Sequence, residues 1–235
     1  STDGSVGLVE ALFPEVRLIA NAENLGFAAA NNQAVRQAGG RYILLLNPDT
    51  RLQPGALRTM VDYMGEHRAV GVLACQLLNA DGSVQISCSR FPTLGTVAMD
   101  CLGLSRLFPR SRLFAGLKMT YWDHNDERDV DQPSGACLLV RREVWDEIGP
   151  LDERFFMYFE EVDFCYRAKK AGWGIRFTPA AQVIHYGGES TRQNLDVRIV
   201  GLRKSLLRFF RKHYPGWRLA VLRLLLLFEI AWRTA

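Results

Sequence analysis

An apolar run that stops abruptly places the strongest limit on the fold. Tyr42-Ile43-Leu44-Leu45-Leu46 leads straight into Asn47-Pro48-Asp49. A run of this length bounded by turn formers predicts a buried strand. Pro48 has no N–H to give to a sheet ladder, so the strand ends there. Asp49 then sits just past a C-terminal strand end, the edge at which open α/β sheets bind ligands. The alternative is structural: Asn47 and Asp49 make a turn and cap the next helix.

Helix-like and strand-like segments alternate around this run. Residues 1–13 read as a helix opened by Ser, Thr or Asp, 16–20 as a short strand, and 27–38 as a helix closed by Gly39-Gly40. Pro54 fits the first turn of a helix running to about Glu66. Such alternation predicts an α/β protein with a doubly wound, mixed but mainly parallel sheet flanked by helices. Two strand-like runs, 70–78 and 83–89, flank Asn79-Ala80-Asp81-Gly82, which reads as a hairpin. Residues 92–128 have weak periodicity and read as helix and loop. Strands are expected at 136–140, 175–177 and 182–185, and helices at 142–147 and 160–171. Two helices parted at Tyr214-Pro215-Gly216 close the chain.

Composition excludes several classes. The 235 residues are 48% hydrophobic and 23% charged, as in an ordinary globular domain with an appendage. Five scattered cysteines form no CxxC pair, which argues against a disulfide framework or structural zinc and for a reducing compartment. Residues 199–235 hold eight Lys/Arg against one acid, Glu229, and so carry +7; the preceding 198 residues carry −3. A nucleic-acid footprint would cover the folded face instead. This distribution suits a body that handles a metal, residues 1–198, and a basic amphipathic tail, residues 199–235, that meets an anionic surface. Arg223 and Glu229 interrupt the apolar stretch of the tail. It falls short of the roughly 20 apolar residues of a membrane span and suits an interfacial helix. The other reading is a helix that docks on the body or mediates self-association.

Three elements carry candidate chemistry. Asp49 follows its strand. Glu160, Glu161 and Asp163 open a helix behind the aromatic approach Phe155-Phe156-Met157-Tyr158-Phe159. His185 ends a strand before Tyr186-Gly187-Gly188. The helix dipole favours acids in a first turn but does not call for an aromatic wall. Crowding and burial raise carboxylate pKa values, leaving one able to take a proton from a hydroxyl. One Asp, one His and substrate phosphate oxygens suit Mn²⁺ or Mg²⁺. Each element also has a structural reading, as helix cap, ion pair or packed histidine.

Four ordered stretches, NAENLGFAAANN, LLLNPDT, PSGACLLVRREVW and GPLDERFFMYFEEVDFCYRAKKAGWGIRFTPAAQVIHYGGES, resemble family 2 glycosyltransferases of the GT-A fold. The subgroup is the bacterial rhamnosyltransferase-like enzymes of cell-surface polysaccharide assembly. The resemblance runs from Ser1 to about Thr191. It implies that Asn47-Pro48-Asp49 stands in place of the DxD motif, with Asp49 on the cation that bridges the donor diphosphate and His185 as a further ligand. Glu161 occupies the position of the catalytic base, Glu160 is its rival, and Asp163 contacts the acceptor, orients the base or pairs with Arg167. Asn24, Gly26, Phe27, Asn31 and Asn47 resemble donor-side residues, and Ser134, Gly135 and Ala136 the floor beside the transferred sugar.

The resemblance implies an inverting, metal-dependent hexosyltransferase. Its donor is a dTDP- or UDP-linked sugar, rhamnose by subgroup, and its acceptor is lipid-linked or a glycan. The expected location is the cytoplasmic face of the membrane. The family normally begins with a strand-helix-strand unit ahead of the Ser1-Thr2-Asp3-Gly4-Ser5 opening. Its lack here implies truncation, an open sheet edge and a tendency to homo-oligomerise. A catalytically inactive, membrane-associated assembly module is the alternative. A nucleotidyltransferase would need a Gly/Lys-rich triphosphate loop near the start, and none is visible.

Overall fold

A mixed sheet in the order β1-β8-β3-β9-β2 organises the computed structural model, which describes residues 3–187 and 195–234. Its strands are β1 (Tyr42–Leu46), β2 (Thr50–Leu52), β3 (Val70–Leu78), β8 (Cys137–Arg141) and β9 (Gly174–His185). Short strands β4 (Val84–Gln85) and β6 (Arg128–Asp129) join β3 and β9, while β5 (Cys88–Ser89) pairs with β7 (Gln132–Pro133). The helices are α1 (Ser5–Leu12), α2 (Phe27–Gln37), α3 (Ala56–Glu66), α4 (Leu94–Cys101), α5 (Leu104–Leu107), α6 (Arg142–Ile148) and α7 (Glu160–Lys170). The chain closes with α8 (Leu195–His213) and α9 (Gly216–Thr234).

The α/β class agrees with the sequence reading, but the strand directions depart from a mainly parallel sheet. Among the described residues only the β3–β9 pairing is parallel; β8 runs antiparallel to both neighbours, β1 and β3. β1, β3 and β9 therefore share one direction, with β8 reversed between β1 and β3. An apolar run such as Cys137–Val140 reads alike in either direction, so periodicity cannot assign it. The expected strand at 16–20 does not form, and Val16 and Leu18 are exposed. No described strand lies alongside it to complete a ladder. The two runs expected at 175–177 and 182–185 are one strand, β9, with a register shift against β3 between Cys75 and Gln76.

Alternation along the strands feeds two cores. Ile43, Leu45, Val72, Ala74, Leu138 and Val140 face one side, where α2, α6 and α7 contribute Val35, Val144 and Phe164. Leu73, Cys75, Leu77, Cys137 and Leu139 face the other, covered by Met60 and Met64 of α3. Buried Arg141 closes that second layer. It donates to the carbonyl of Met64 (2.6 Å), a group that the end of α3 leaves open, and to that of Val70 at the start of β3 (3.1 Å).

A third core joins the C-terminal helices to the body. Leu206, Phe209, Phe210, Leu222 and Leu226 pack with Val97, Cys101, Phe155 and Val162. The expected boundary at 198/199 lies inside α8. Burying each of these large side chains contributes about 1.5–3 kcal/mol. The tail is therefore docked along its inner face. Its outer face keeps Trp217, Val221, Leu224 and Phe228 exposed, at helical spacing.

Candidate active site

The end of β1 is tied to the sheet on both sides. Asn47 N donates to Ala136 O (2.9 Å), and the Thr50 hydroxyl donates to Asn47 O (2.6 Å). Beyond the turn, β2 pairs with β9 so that Thr50 lies opposite His185, and Tyr186 N donates to Asp49 O (2.9 Å). This register brings His185 Nε2 to 3.4 Å from Asp49 Oδ1, with both side chains half-buried. The structure thus brings together the two expected cation ligands. A neutral imidazole lone pair and a carboxylate oxygen repel at that distance, so the pair fits a cation or a proton placed between them. No group of three or more His, Cys, Asp or Glu among the described residues is arranged to hold a metal ion. Two protein ligands leave the rest of the coordination sphere to substrate oxygens and water, a habit of Mg²⁺-type sites.

The carboxylates stand at the start of α7. Tyr158 and Phe159, immediately before it, both adopt left-handed backbone conformations (φ 65° and 74°). Such angles cost energy for bulky residues and cluster at functional sites. Glu160 is buried, and that burial, with the Glu161 charge beside it, pushes its pKa up to about 8. Burial also raises Glu161, although backbone hydrogen bonds oppose the rise. Densely packed protein surrounds Glu161, yet the residue keeps a partly open side toward a cavity. One oxygen of each carboxylate, Oε2, has no hydrogen-bond partner among the described residues.

Asp163 occupies a different environment. It is fully buried and accepts from Arg167 Nε (2.8 Å), with Lys212 Nζ and His213 Nε2 each 2.7 Å from Oδ1. Burial works to raise its pKa, but the bonds from His213, Lys212 and Arg167 outweigh it and hold the carboxyl below its ordinary value. Of the roles considered for it, the geometry matches the pairing with Arg167, extended to α8. An acceptor contact finds no open face on it.

The donor-side and floor residues divide in the same way. Gly26 (φ 81°) lies against the FFMYF segment, where a Cβ would come within 2.5 Å of Phe156 O. Asn24 Oδ1 accepts from Gly26 N (3.0 Å), and Asn31 Nδ2 turns back to Phe27 O (2.9 Å). Both asparagines hold the loop and the start of α2. Gly135 lies between Phe27 and Glu161; a Cβ there would sit 3.7 Å from Glu161 Cγ and 3.8 Å from Phe27 Cζ. Ala136 is buried, whereas Ser134 lines the cavity beside Glu161. Sequence reasoning missed Asn32, whose buried amide bonds Leu151 at both N and O and fixes α2 to the loop before FFMYF.

The cavity measures about 760 Å³. Glu161 and Ser134 lie on one side, with apolar walls from Ile86, Leu117, Val162, Leu202 and Leu206. Arg90 and Arg106 add positive charge, Lys118 and Arg203 are paired with Asp100 and Glu229, and α8 supplies part of the wall. A space walled by apolar residues and rimmed by cations can accept a molecule that is both greasy and anionic. No periodic signal in the sequence marks these cations, which come from separate segments.

Known proteins resemble the chain in sequence and in fold. A family model described as glycosyltransferase like family 2 matches residues 7–204. An N-acetylglucosaminyl-diphospho-decaprenol L-rhamnosyltransferase of Mycobacterium tuberculosis is 31% identical, over all of this chain and 79% of its own length. The rhamnosyltransferase WbbL of Escherichia coli is 27% identical over 80% of this chain and 70% of its length. Among solved structures, a mannosyltransferase from Pyrobaculum calidifontis in complex with GDP-Man and Mn²⁺ superposes with a TM-score of 0.54 at 16% identity, over 98% of this chain and 64% of that one. GalNAc-T7 with UDP, GalNAc and Mn²⁺ superposes at 0.52 and 13% identity, over 78% of this chain and 35% of its own. With its GT-A-like sheet, its strand-end Asp49–His185 pair and a family match spanning most of its length, the chain belongs to glycosyltransferase family 2.

Proposed function

We propose that the chain transfers a sugar, rhamnose in the first instance, from a nucleotide-diphosphate donor to a hydroxyl of a lipid-linked diphosphate acceptor, with inversion at the anomeric carbon. Glu161 carries the reading. It is a carboxylate of raised pKa with an unpartnered oxygen, set against an apolar, cation-rimmed cavity. The acceptor named for the mycobacterial relative, a polyprenyl diphosphate sugar, matches that chemistry.

In this reading Glu161 takes the proton of the acceptor hydroxyl as that oxygen bonds to the anomeric carbon. The bond from this carbon to the donor diphosphate breaks from the opposite face, and the diphosphate departs with the electron pair. Asp49 and His185 would hold Mn²⁺ or Mg²⁺, and that cation would supply neutralisation of charge on the leaving diphosphate. Glu160 keeps a second carboxyl beside the base and, being largely protonated near neutral pH, adds little repulsion there. Gly26, Phe27 and Gly135 shape the space next to the reacting carbon.

No helix among the described residues is long and apolar enough to cross a membrane. The exposed Trp217-Val221-Leu224-Phe228 face on a strongly basic segment supports peripheral seating on an anionic, cytoplasmic leaflet. The test is transfer of label from dTDP-rhamnose to a synthetic polyprenyl-diphosphate-linked N-acetylglucosamine. Wild-type protein should give lipid-linked product that Glu161→Gln does not. Equal product from both would remove Glu161 from the mechanism.

A further inference from the structure

A histidine offers a cation only the ring nitrogen that carries no proton, so a metal-binding histidine needs its tautomer chosen by something else. In this chain a run of side-chain hydrogen bonds leads from the β3–β4 hairpin to His185, and its polarity can be worked out from one end. Asp81 Oδ1 accepts from the Ser83 hydroxyl at 2.6 Å and from Ser83 N at 2.9 Å. Those bonds hold the Asp81 carboxyl below its ordinary pKa, so near neutral pH it only accepts.

The single hydroxyl proton of Ser83 is therefore committed to Asp81. Toward Asn79 that oxygen can only accept, and Asn79 Nδ2 donates to it at 2.9 Å. Asn79 Oδ1 then faces Gln85, whose Nε2 donates at 2.9 Å. The other end of the same amide, Gln85 Oε1, lies 2.7 Å from His185 Nδ1. Two acceptors cannot share that distance, so Nδ1 carries the ring proton. In the neutral ring Nε2 then keeps its lone pair, 3.4 Å from Asp49 Oδ1.

The backbone holds every member in place. Asn79 N bonds Ser83 O at 2.8 Å, Gly82 N bonds Asn79 O at 3.0 Å with Gly82 at φ 83°, and Gln85 pairs with Leu77 across the ladder. Gln85 Nε2 also approaches the carbonyl of His185 at 3.5 Å.

We propose that Asp81, Ser83, Asn79 and Gln85 form a positioning relay that fixes His185 as the Nδ1–H tautomer, presenting Nε2 together with Asp49 to a divalent cation. Gln85 is the residue in contact with the ring, and Asp81 sets the direction of the whole run. The proposal rests on the reading of Asp49 and His185 as cation ligands. The relay itself is a property of the metal-free protein.

The experiment is side-chain ¹⁵N NMR of His185 in the metal-free full chain at about pH 8, above the ordinary imidazole range, followed by Mn²⁺ titration read as paramagnetic broadening. Wild-type protein should show the Nδ1–H tautomer. Gln85→Leu should shift the ring toward Nε2–H, which then donates to Asp49, and weaken Mn²⁺ binding about 10-fold. Gln85→Glu, still an acceptor toward Nδ1, should keep the wild-type tautomer. Asp81→Asn, whose amide can donate to Ser83, should produce a mixture of tautomers without touching His185. An Nε2–H ring in wild-type protein overturns the relay, as does an unchanged tautomer in folded Gln85→Leu. An Nδ1–H ring that Mn²⁺ fails to broaden supports the relay and counts against the cation pair instead.

Discussion

Glu160 and Glu161 are neighbours in sequence with different surroundings, and their roles separate on that basis. Glu161 lines the cavity while Glu160 is buried. Glu161→Gln should lower kcat by about 10²–10⁴-fold, the usual loss for a general base, with the donor KM little changed; Glu160→Gln should cost far less. Steady-state kinetics on both variants decides the assignment. The pH dependence has a definite sign. An acid whose folded pKa lies above its unfolded value holds a proton that the unfolded chain has already released. Stability therefore falls as pH rises from the ordinary carboxylate range toward about 8, the folded value for Glu160. Thermal unfolding from about pH 5 to about pH 8.5 should show that decline in wild type and a flatter profile in Glu160→Gln. The rising limb of kcat/KM should also lie above the ordinary carboxylate range, because burial raises Glu161. Asp49 and His185 were legible in the sequence because proline and glycine mark strand ends. Gln85 was not, since a hairpin signal identifies the turn but not which flanking side chain reaches another strand.

Between elements, the link from α7 to α8 is the most consequential. Asp163, two residues from Glu161, receives Arg167 from its own helix and Lys212 and His213 from α8. Removing one partner of such a buried network leaves charges uncompensated, which costs about 3–5 kcal/mol. Asp163→Ala should lower stability by that order in denaturant unfolding, and wild-type stability should drop as pH falls through the depressed Asp163 value. The sequence offered the Arg167 pairing, four residues on in the helix, as one of three roles for Asp163. It could not show Lys212 and His213, which come from a helix whose docking depends on the third core. A similar limit applies to Gly26. Its loop position was legible, but its contact with Phe156 O required the FFMYF segment in place. Gly26→Ala combines a clash with a backbone conformation (φ 81°, ψ 168°) that only glycine adopts readily. It should cost at least about 1–3 kcal/mol, seen as a lowered unfolding midpoint.

For the whole molecule, the α8–α9 hairpin has two faces with separate uses. Its inner face completes the third core and walls the cavity, so deleting it would unroof the site as well as remove charge. Surface variants separate these effects. Leu224→Glu with Phe228→Glu alters only exposed positions and should leave stability within about 0.5 kcal/mol. The same pair should abolish sedimentation with anionic vesicles; unchanged sedimentation would remove α9 from membrane seating. The α/β class and the amphipathic tail were readable from periodicity. Strand order was not, because the reversal of β8 depends on pairings between segments far apart in sequence.

The central claim is that Asp49 and His185 join a divalent cation to the donor diphosphate. Calorimetric titration of dTDP into the protein, with and without Mn²⁺ and beside Asp49→Ala, tests it most directly. Binding that requires Mn²⁺ and disappears in Asp49→Ala is the predicted result. Binding of equal strength without Mn²⁺, or undiminished in Asp49→Ala, would contradict it.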